Sequence, residues 1–144
     1  MTCISDQTIA SEAIGFTASA TESRLYTNEE IALFDNVVTN YGGYYNPMTS
    51  SFICPVHGIY LFFVNTVVDQ SNMQLRIVRN SDGLTTGWAD GIAGGANHGS
   101  NLAITECDIG DVIWMRVHHS GDDKTLLGYS SPHTSFSGVL IKPM

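Results

Sequence analysis

Residues Phe52 to Val68 read FICPVHGIYLFFVNTVV, and the centre of the stretch, Ile59-Tyr60-Leu61-Phe62-Phe63-Val64, is apolar at every position. A β-strand turns alternate side chains to opposite faces, so a strand here has two apolar faces. Helices covering a parallel sheet would bury both, but the chain has no run of helical patterns to supply them. The remaining solution is a sandwich core on one side and another subunit on the other. The segment is therefore read as the spine of an all-β protomer that oligomerises.

The 144 residues suffice for one domain with a real core. Only 14% are charged, against about 25% in typical soluble domains, as expected of a chain that hides surface in an assembly. A net charge of −8 with six Lys and Arg argues against a nucleic-acid or anionic-membrane surface, which needs clustered basic residues. No apolar run reaches the roughly 20 residues that span a bilayer. The start, MTCISDQ, lacks a basic segment followed by an apolar one, so the chain reads as intracellular or as a mature form. Cys3, Cys54 and Cys107 fit no zinc-ribbon spacing. A Cys54–Cys107 bridge with Cys3 free to link subunits is one reading; three unpaired thiols, two of them buried, is the other.

Taken in order, residues 1–12 form a polar tail and 13–144 the domain. Ala13–Ala18 reads as a first strand. Thr27-Asn28-Glu29-Glu30 imitates a helix start, but Val37-Val38-Thr39 and Gly42-Gly43 follow, so short strands around Ile31–Phe34 are preferred. Asn40–Met48 is a loop rich in turn formers. Met73, Leu75 and Ile77 alternate with Gln74 and Arg76, a half-buried strand. Gly87–Ser100 (GWADGIAGGANHGS) is expected to be a loop, flanked by a short strand at Thr85–Trp88. Strands follow at Leu102/Ile104 and Ile113/Met115/Val117, then a turn at His118–Asp123, and Phe136–Ile141 closes the chain. Eight to ten short strands between regular turns make a β-sandwich, jelly roll or barrel.

The spacing Phe34, Asn40, Tyr45, Phe52, Gly58, Tyr60, Phe62 resembles the signature of the complement C1q globular-head family, within the C1q/tumour-necrosis-factor-like superfamily. Phe52-Ile53-Cys54-Pro55, Gly58-Ile59-Tyr60-Leu61-Phe62, Gly110-Asp111-Val112-Ile113-Trp114 and Thr134-Ser135-Phe136-Ser137-Gly138 resemble four of its blocks, over about residues 13–144. Val64 stands where the signature has an aromatic, and the collagen stalk of complement C1q is absent. The resemblance implies a jelly roll of about ten antiparallel strands assembling as a homotrimer, with Tyr60, Phe62, Val64, Trp114 and Phe136 in the core and trimer spine.

No nucleophile elbow, zinc-protease helix, phosphate loop or nucleotide fingerprint is present, and the chain is read as non-enzymatic. Cys54 and His57 have a C-x-x-H gap, but only His118 or His119 could complete a zinc site, and structural zinc needs four fixed ligands. The resemblance brings calcium forward at Asp90, in the loop 90–100. Calcium wants about six to eight oxygens, and this loop adds Asn97 and carbonyls but no second acid. An empty apex with Asp90 as a turn residue is preferred, and no cofactor is required.

Glycan sites combine an aromatic plate with directed polar groups. Two clusters have those types: Trp88, Asp90, Asn97 and His98; and His118, His119, Asp122, Asp123, Tyr129 and His133. Arg79, Arg116 and Lys124 are the cations on hand for an anionic sugar such as sialic acid. The resemblance implies a secreted, multivalent pattern-recognition protein of innate immunity, lectin-like, binding microbial or cell-surface glycans such as lipopolysaccharide. The alternatives are a trimeric cytokine-like or synaptic-organiser-like ligand of a protein receptor, and a storage assembly.

Overall fold

The computed structural model describes residues 12–69, 72–91, 95–120, 124–126 and 134–144, with 119–120 and 124–126 described through backbone alone. Among these residues there are twelve strands and no helix: β1 Gly15–Ser19, β2 Arg24–Tyr26, β3 Asn36–Tyr41, β4 Tyr45–Asn46, β5 Ser51–Ile53, β6 Gly58–Asp69, β7 Asn72–Arg79, β8 Asp82–Asp90, β9 Ala96–Cys107, β10 Val112–Ser120, β11 Lys124–Leu126 and β12 Ser135–Pro143. They form two antiparallel sheets. The first runs β2-β11-β6-β12-β1-β3, with β9 on the other edge of β6; the second runs β4-β5-β10-β7-β8. From β5 onward the chain crosses repeatedly between sheets, which makes the sandwich a jelly roll.

The Phe52–Val68 stretch becomes β5, a crossing at Cys54–His57, and the twelve-residue β6. β6 pairs with β12 from Gly58 to Asn65 and with β9 from Gly58 to Asp69. Its inward residues Tyr60, Phe62, Val64, Thr66 and Val68 are wholly buried. The Thr66 hydroxyl donates to the Gly87 carbonyl at 3.1 Å, so no orphaned polar group is left among the apolar ones. The outward residues Ile59, Leu61, Phe63 and Val67 are only half-buried. The expected spine is thereby corrected. Tyr60, Phe62, Val64 and Phe136 are core and nothing else, while Trp114 sits half-buried on the second sheet, its indole donating to the Asn80 carbonyl at 3.0 Å.

Rings from four strands knit the sheets together. Phe16 stacks on Tyr45 at 4.6 Å and on Phe52 at 5.0 Å, and meets Phe136 edge-on at 4.8 Å. Gly138 makes room for this cluster: a Cβ there would stand 2.6 Å from the rings of both Phe16 and Phe62. The buried phenol of Tyr45 donates to the Phe34 carbonyl at 2.6 Å. The Gly110-Asp111 turn is stapled in turn. The Asp111 carboxylate accepts from Asn80 Nδ2 at 3.0 Å and from the Asp108 N–H at 2.9 Å. Burial alone would raise its pKa, but these bonds and the charge of Arg79 together hold it below the usual carboxylate value.

Three expectations fail. The Gly-rich stretch Gly87–Ser100 is largely strand: β8 continues to Asp90 and β9 begins at Ala96. Its glycines are steric necessities rather than loop formers. At this end the two sheet edges touch backbone to backbone, and a Cβ on Gly99 would overlap the Trp88 carbonyl, while one on Gly87 would lie 2.9 Å from Val64. The Ile31–Phe34 strand shrinks to one bridge, Ile31 to Arg116, and the strands of that region lie at β2 and β3 instead. His118 and His119 belong to β10 and not to a turn. The helix-start imitation is a turn whose Glu30 carboxylate accepts from the Thr27 N–H at 3.2 Å.

Phe16→Ala is expected to lower the free energy of unfolding by about 3–5 kcal/mol. Gly99→Ala, one added methyl in a stretch that reads as loop, is expected to cost about 1–3 kcal/mol by overpacking. Urea denaturation of both variants checks the pair; an unchanged midpoint for Gly99→Ala contradicts the backbone contact.

Candidate functional site

Among the described residues β8 ends the second sheet, laddered to β7. Alternation buries Gly87 and Ala89 and leaves Thr86, Trp88 and Asp90 facing outward. Trp88 is 58% exposed, yet it is oriented: its indole N–H donates to Asn72 Oδ1 at 2.8 Å. Across the ladder Trp88 faces Gln74, and Thr86 faces Arg76, whose Nε donates to the Thr86 hydroxyl at 3.2 Å. One strand further in, Arg116 stands opposite Arg76. Like charges directly opposite in a sheet repel. Glu29 relieves Arg116, with its Oε2 3.3 Å from the guanidinium. Glu29 holds a left-handed φ of 72°, fixed by its N–H on the Val117 carbonyl at 2.7 Å.

The first predicted cluster is divided by the fold. Trp88 and Asp90 lie on the second sheet. Asn97 bridges the gap, its Nδ2 donating to the Asp90 carbonyl at 2.7 Å. His98 pairs with Val67 on the first sheet and, with Asn65 and Asn97, lines a shallow cavity of about 280 Å³. Of the second cluster, His118 is half-buried in β10 and His119 is placed by its backbone opposite Gln74. Asp122, Asp123, Tyr129 and His133 lie outside the described residues, as does Cys3. Among the described residues no group of three or more His, Cys, Asp or Glu comes together as a metal site, at Asp90 or elsewhere. Asn72, Gln74 and Arg76 were not singled out from sequence. The alternation over residues 73–77 marks them as outward, but the register that sets them beside Trp88 is a property of the pairing.

The outward face of the first sheet is apolar across three strands. Leu61 lies between Val139 and Ile104, and Phe63 between Ser137 and Leu102. Ile104 is 60% exposed, Leu102 47% and Val139 44%. The row beyond is polar, with the Ser100 hydroxyl donating to Asn65 Oδ1 at 2.8 Å.

Cys54 and Cys107 are buried and free, their thiols within hydrogen-bonding reach of each other. The Cys54 thiol is raised by that contact and by burial, whereas Cys107, receiving the bond and facing Arg79, is lowered. Two backbone bonds tie Cys54 to the neighbouring turn, its N–H to Asp111 O and Gly110 N–H to its carbonyl, both 2.9 Å. The His57 imidazole is engaged by Glu106, and among the described residues the C-x-x-H gap joins no metal-ligating group of three.

Residues 15–141 match the model of the family described as the C1q domain. The chain is 28% identical over 135 residues to complement C1q tumor necrosis factor-related protein 5 of Homo sapiens, covering 88% of this chain and 52% of that protein. It is 26% identical over 127 residues to complement C1q tumor necrosis factor-related protein 2 of Mus musculus, covering 88% and 42%. The chain thus spans about half the length of these curated relatives. Among solved structures it resembles the globular domain of zebrafish complement 1qA protein (TM-score 0.74, 16% identity, 91% of this chain and 99% of that one). It also resembles the Eiger TNF of S. frugiperda (TM-score 0.75, 12% identity, 92% and 95%). Among the described residues no helix is long and apolar enough to cross a membrane.

Where β9 ends beside the start of β6, the His57 Nε2 lies 3.0 Å from Glu106 Oε2 and 3.6 Å from Asp108 Oδ1. The Glu106 hydrogen bond, with the charge of both acids, raises the His57 pKa above its ordinary 6.5. A raised imidazole pKa stabilises the fold fully below the unfolded value and loses that contribution as pH rises through the folded one. Thermal melts of the wild type on raising pH past 6.5 are therefore expected to show a decline that His57→Asn lacks; parallel curves for the two proteins would refute the pairing.

Proposed function

The chain belongs to the C1q domain family, and from that premise we propose that it is a secreted, homotrimeric recognition protein that binds glycans of microbial or cell surfaces. The observation that carries the reading is Trp88: a large ring 58% exposed on an edge strand, held in one orientation by Asn72. Such a plate offers its face to the C–H side of a pyranose, with Gln74, Asn72 and Asp90 around it to meet hydroxyls.

The homotrimer is supported by the outward face of β6. Leu61, Phe63, Leu102, Ile104 and Val139 form a contiguous apolar surface, of the kind that marks an interaction site on a soluble chain. Three weak sites joined in one particle gain avidity through effective concentration, without new contacts. Nothing in this reading needs catalysis or a metal; calcium enters only as a variable of the test.

Secretion would expose the buried thiol pair to an oxidising compartment. We propose that Cys54 and Cys107 then close as a disulfide. Two thiols give up two protons and two electrons to a thiol oxidant such as oxidised glutathione, which leaves as two glutathione thiols. Peptide mapping of protein from an oxidising expression host is expected to give a cross-linked Cys54–Cys107 peptide; both peptides recovered free would reject the bridge.

Leu61→Asp and Phe63→Asp are expected to yield folded monomers, whereas Phe62→Asp, buried on the opposite face, is expected not to fold. Light scattering and circular dichroism separate these outcomes, and a wild type that is monomeric at micromolar concentration defeats the assembly. A glycan array with and without EDTA tests recognition. Sugar-inhibitable binding lost in Trp88→Ala supports it. Silence on every glycan by intact trimers favours a protein receptor instead.

A further inference from the structure

Cys54 and Cys107 come from distant parts of the chain, and the fold gives them different neighbours. Cys107 is the last residue of β9 and pairs with Gly58 at the start of β6. Cys54 lies just past β5, in the crossing to β6. Both are buried. Among the described residues the guanidinium that reaches them is that of Arg79. Arg79 ends β7 on the second sheet, yet its Nη1 donates to the Thr105 hydroxyl at 2.7 Å and to the Glu106 carbonyl at 2.6 Å, both on β9. That carbonyl belongs to the peptide bond of Cys107, and the guanidinium also donates to the Cys107 sulfur. Its Nη2 lies 4.0 Å from the exposed Asp82 carboxylate. Cys54 contributes its own S–H, directed at Cys107.

The Cys107 sulfur therefore accepts from two directions, from Arg79 and from the Cys54 thiol. A thiolate, not a thiol, is the nucleophile of disulfide exchange, and hydrogen bonds from a cation favour the charged form of the group that accepts them. The first proton to leave the pair thus leaves Cys107 charged, while Cys54 keeps its own. The other groups facing the pair do not reverse this preference. Asp111, from the turn before β10, disfavours charge on either sulfur, and the Tyr60 phenol on β6, itself raised by burial, stays neutral. His57 holds Glu106 and Asp108, the residues on either side of Cys107. The chain leaves Cys107 through an exposed turn, Asp108-Ile109-Gly110, with Ile109 61% exposed. Local opening there uncovers the end of β9.

We propose that Cys107 is a thiol-exchange site, with Arg79 positioning its sulfur and Cys54 acting as the resolving thiol. The inference rests on the Cys54–Cys107 bridge put forward above and assigns the order in which it forms. The co-reactant is a small disulfide, RSSR. The Cys107 thiolate attacks one of its sulfurs. A Cys107 S–SR bond forms, the S–S bond of RSSR breaks, and RS⁻ leaves with the electron pair and takes a proton from water. Cys54 then loses its proton to solvent and attacks the Cys107 sulfur, and the second RS⁻ leaves in the same way. Two protein thiols are oxidised to one disulfide, and RSSR is reduced to two RSH.

The test uses the full chain carrying Cys3→Ser, so that the pair alone reports, with oxidised glutathione as the disulfide and mass spectrometry as the readout. Adding Cys54→Ser is expected to trap one glutathione per chain on Cys107. Adding Cys107→Ser instead is expected to load Cys54 about tenfold more slowly at pH 7. On the Cys54→Ser protein, Arg79→Gln should slow loading about tenfold at pH 7 and move the rate profile to higher pH, and Arg79→Lys should recover part of the rate. A merely structural Arg79 would leave that profile where it was. Circular dichroism checks that each variant folds. Where one does not, brief exposure of the Cys3→Ser protein to oxidised glutathione, an acid quench and peptide mapping show which cysteine carries the first adduct. Loading at Cys54 first, equal rates at the two cysteines, or an unmoved Arg79→Gln profile overturns the order and leaves the bridge standing. An adduct on Cys107 that persists beside an intact Cys54 overturns the resolving step and the bridge with it. Neither adduct nor bridge overturns both.

Discussion

A strand hydrogen-bonded along both edges has used up its backbone, and whatever else it does must be done by its two faces. That is the situation of β6. With β12 on one side and β9 on the other, it can neither rotate nor shift without breaking two ladders. Its side chains are fixed in two opposed rows. The inward row is satisfied by the ring cluster around Phe16 and by the bond from Thr66 to Gly87. The outward row is as greasy and has no such counterpart among the described residues. The alternation that locks the core in place also fixes an apolar surface outside it.

The second sheet solves a different problem. Its outer strand β8 is laddered to β7 on one side, and on the other it is met by β9, whose Asn97 and Asn101 amides donate to the Asp90 and Thr86 carbonyls at 2.7 and 3.1 Å. Here the outward row is mixed: Thr86, Trp88 and Asp90, with Asn72, Gln74 and Arg76 beside them. Trp88 is kept from collapsing on the sheet by its bond to Asn72. The edge is further anchored where Gly99 of β9 meets the Trp88 backbone. The ring at the sheet margin is thus tied to the neighbouring strand β7 through Asn72.

Much of this could be read from residue order, and the failures have physical causes. The doubly apolar Ile59–Val64 announced a core on one side and an apolar outer row on the other, because period-two alternation is a local property. It could not say which residue goes which way until the chain entered the sheet, so Trp114 was grouped with Phe62 though the two lie on different sheets. The Gly-rich 87–100 stretch was misread because glycine has two uses that look alike in sequence, freedom of φ and absence of a Cβ. Gly87 and Gly99 serve the second. Asn97 and His98 were grouped with Asp90 as one loop; the Asn97 amide does reach the Asp90 carbonyl, but His98 pairs with Val67 on the first sheet. Arg76 went unnoticed because what surrounds it is set by the pairing.

The apolar outer face of β6 and the edge that carries Trp88 sit on opposite sheets, back to back, with the core between them. In a ring of three, the joints would turn inward and each tryptophan outward, like lamps on the rim of a wheel. Such a layout lets selection revise the rim, one residue after another, without loosening the hub. A lineage built on it can change its targets quickly while its architecture stands still.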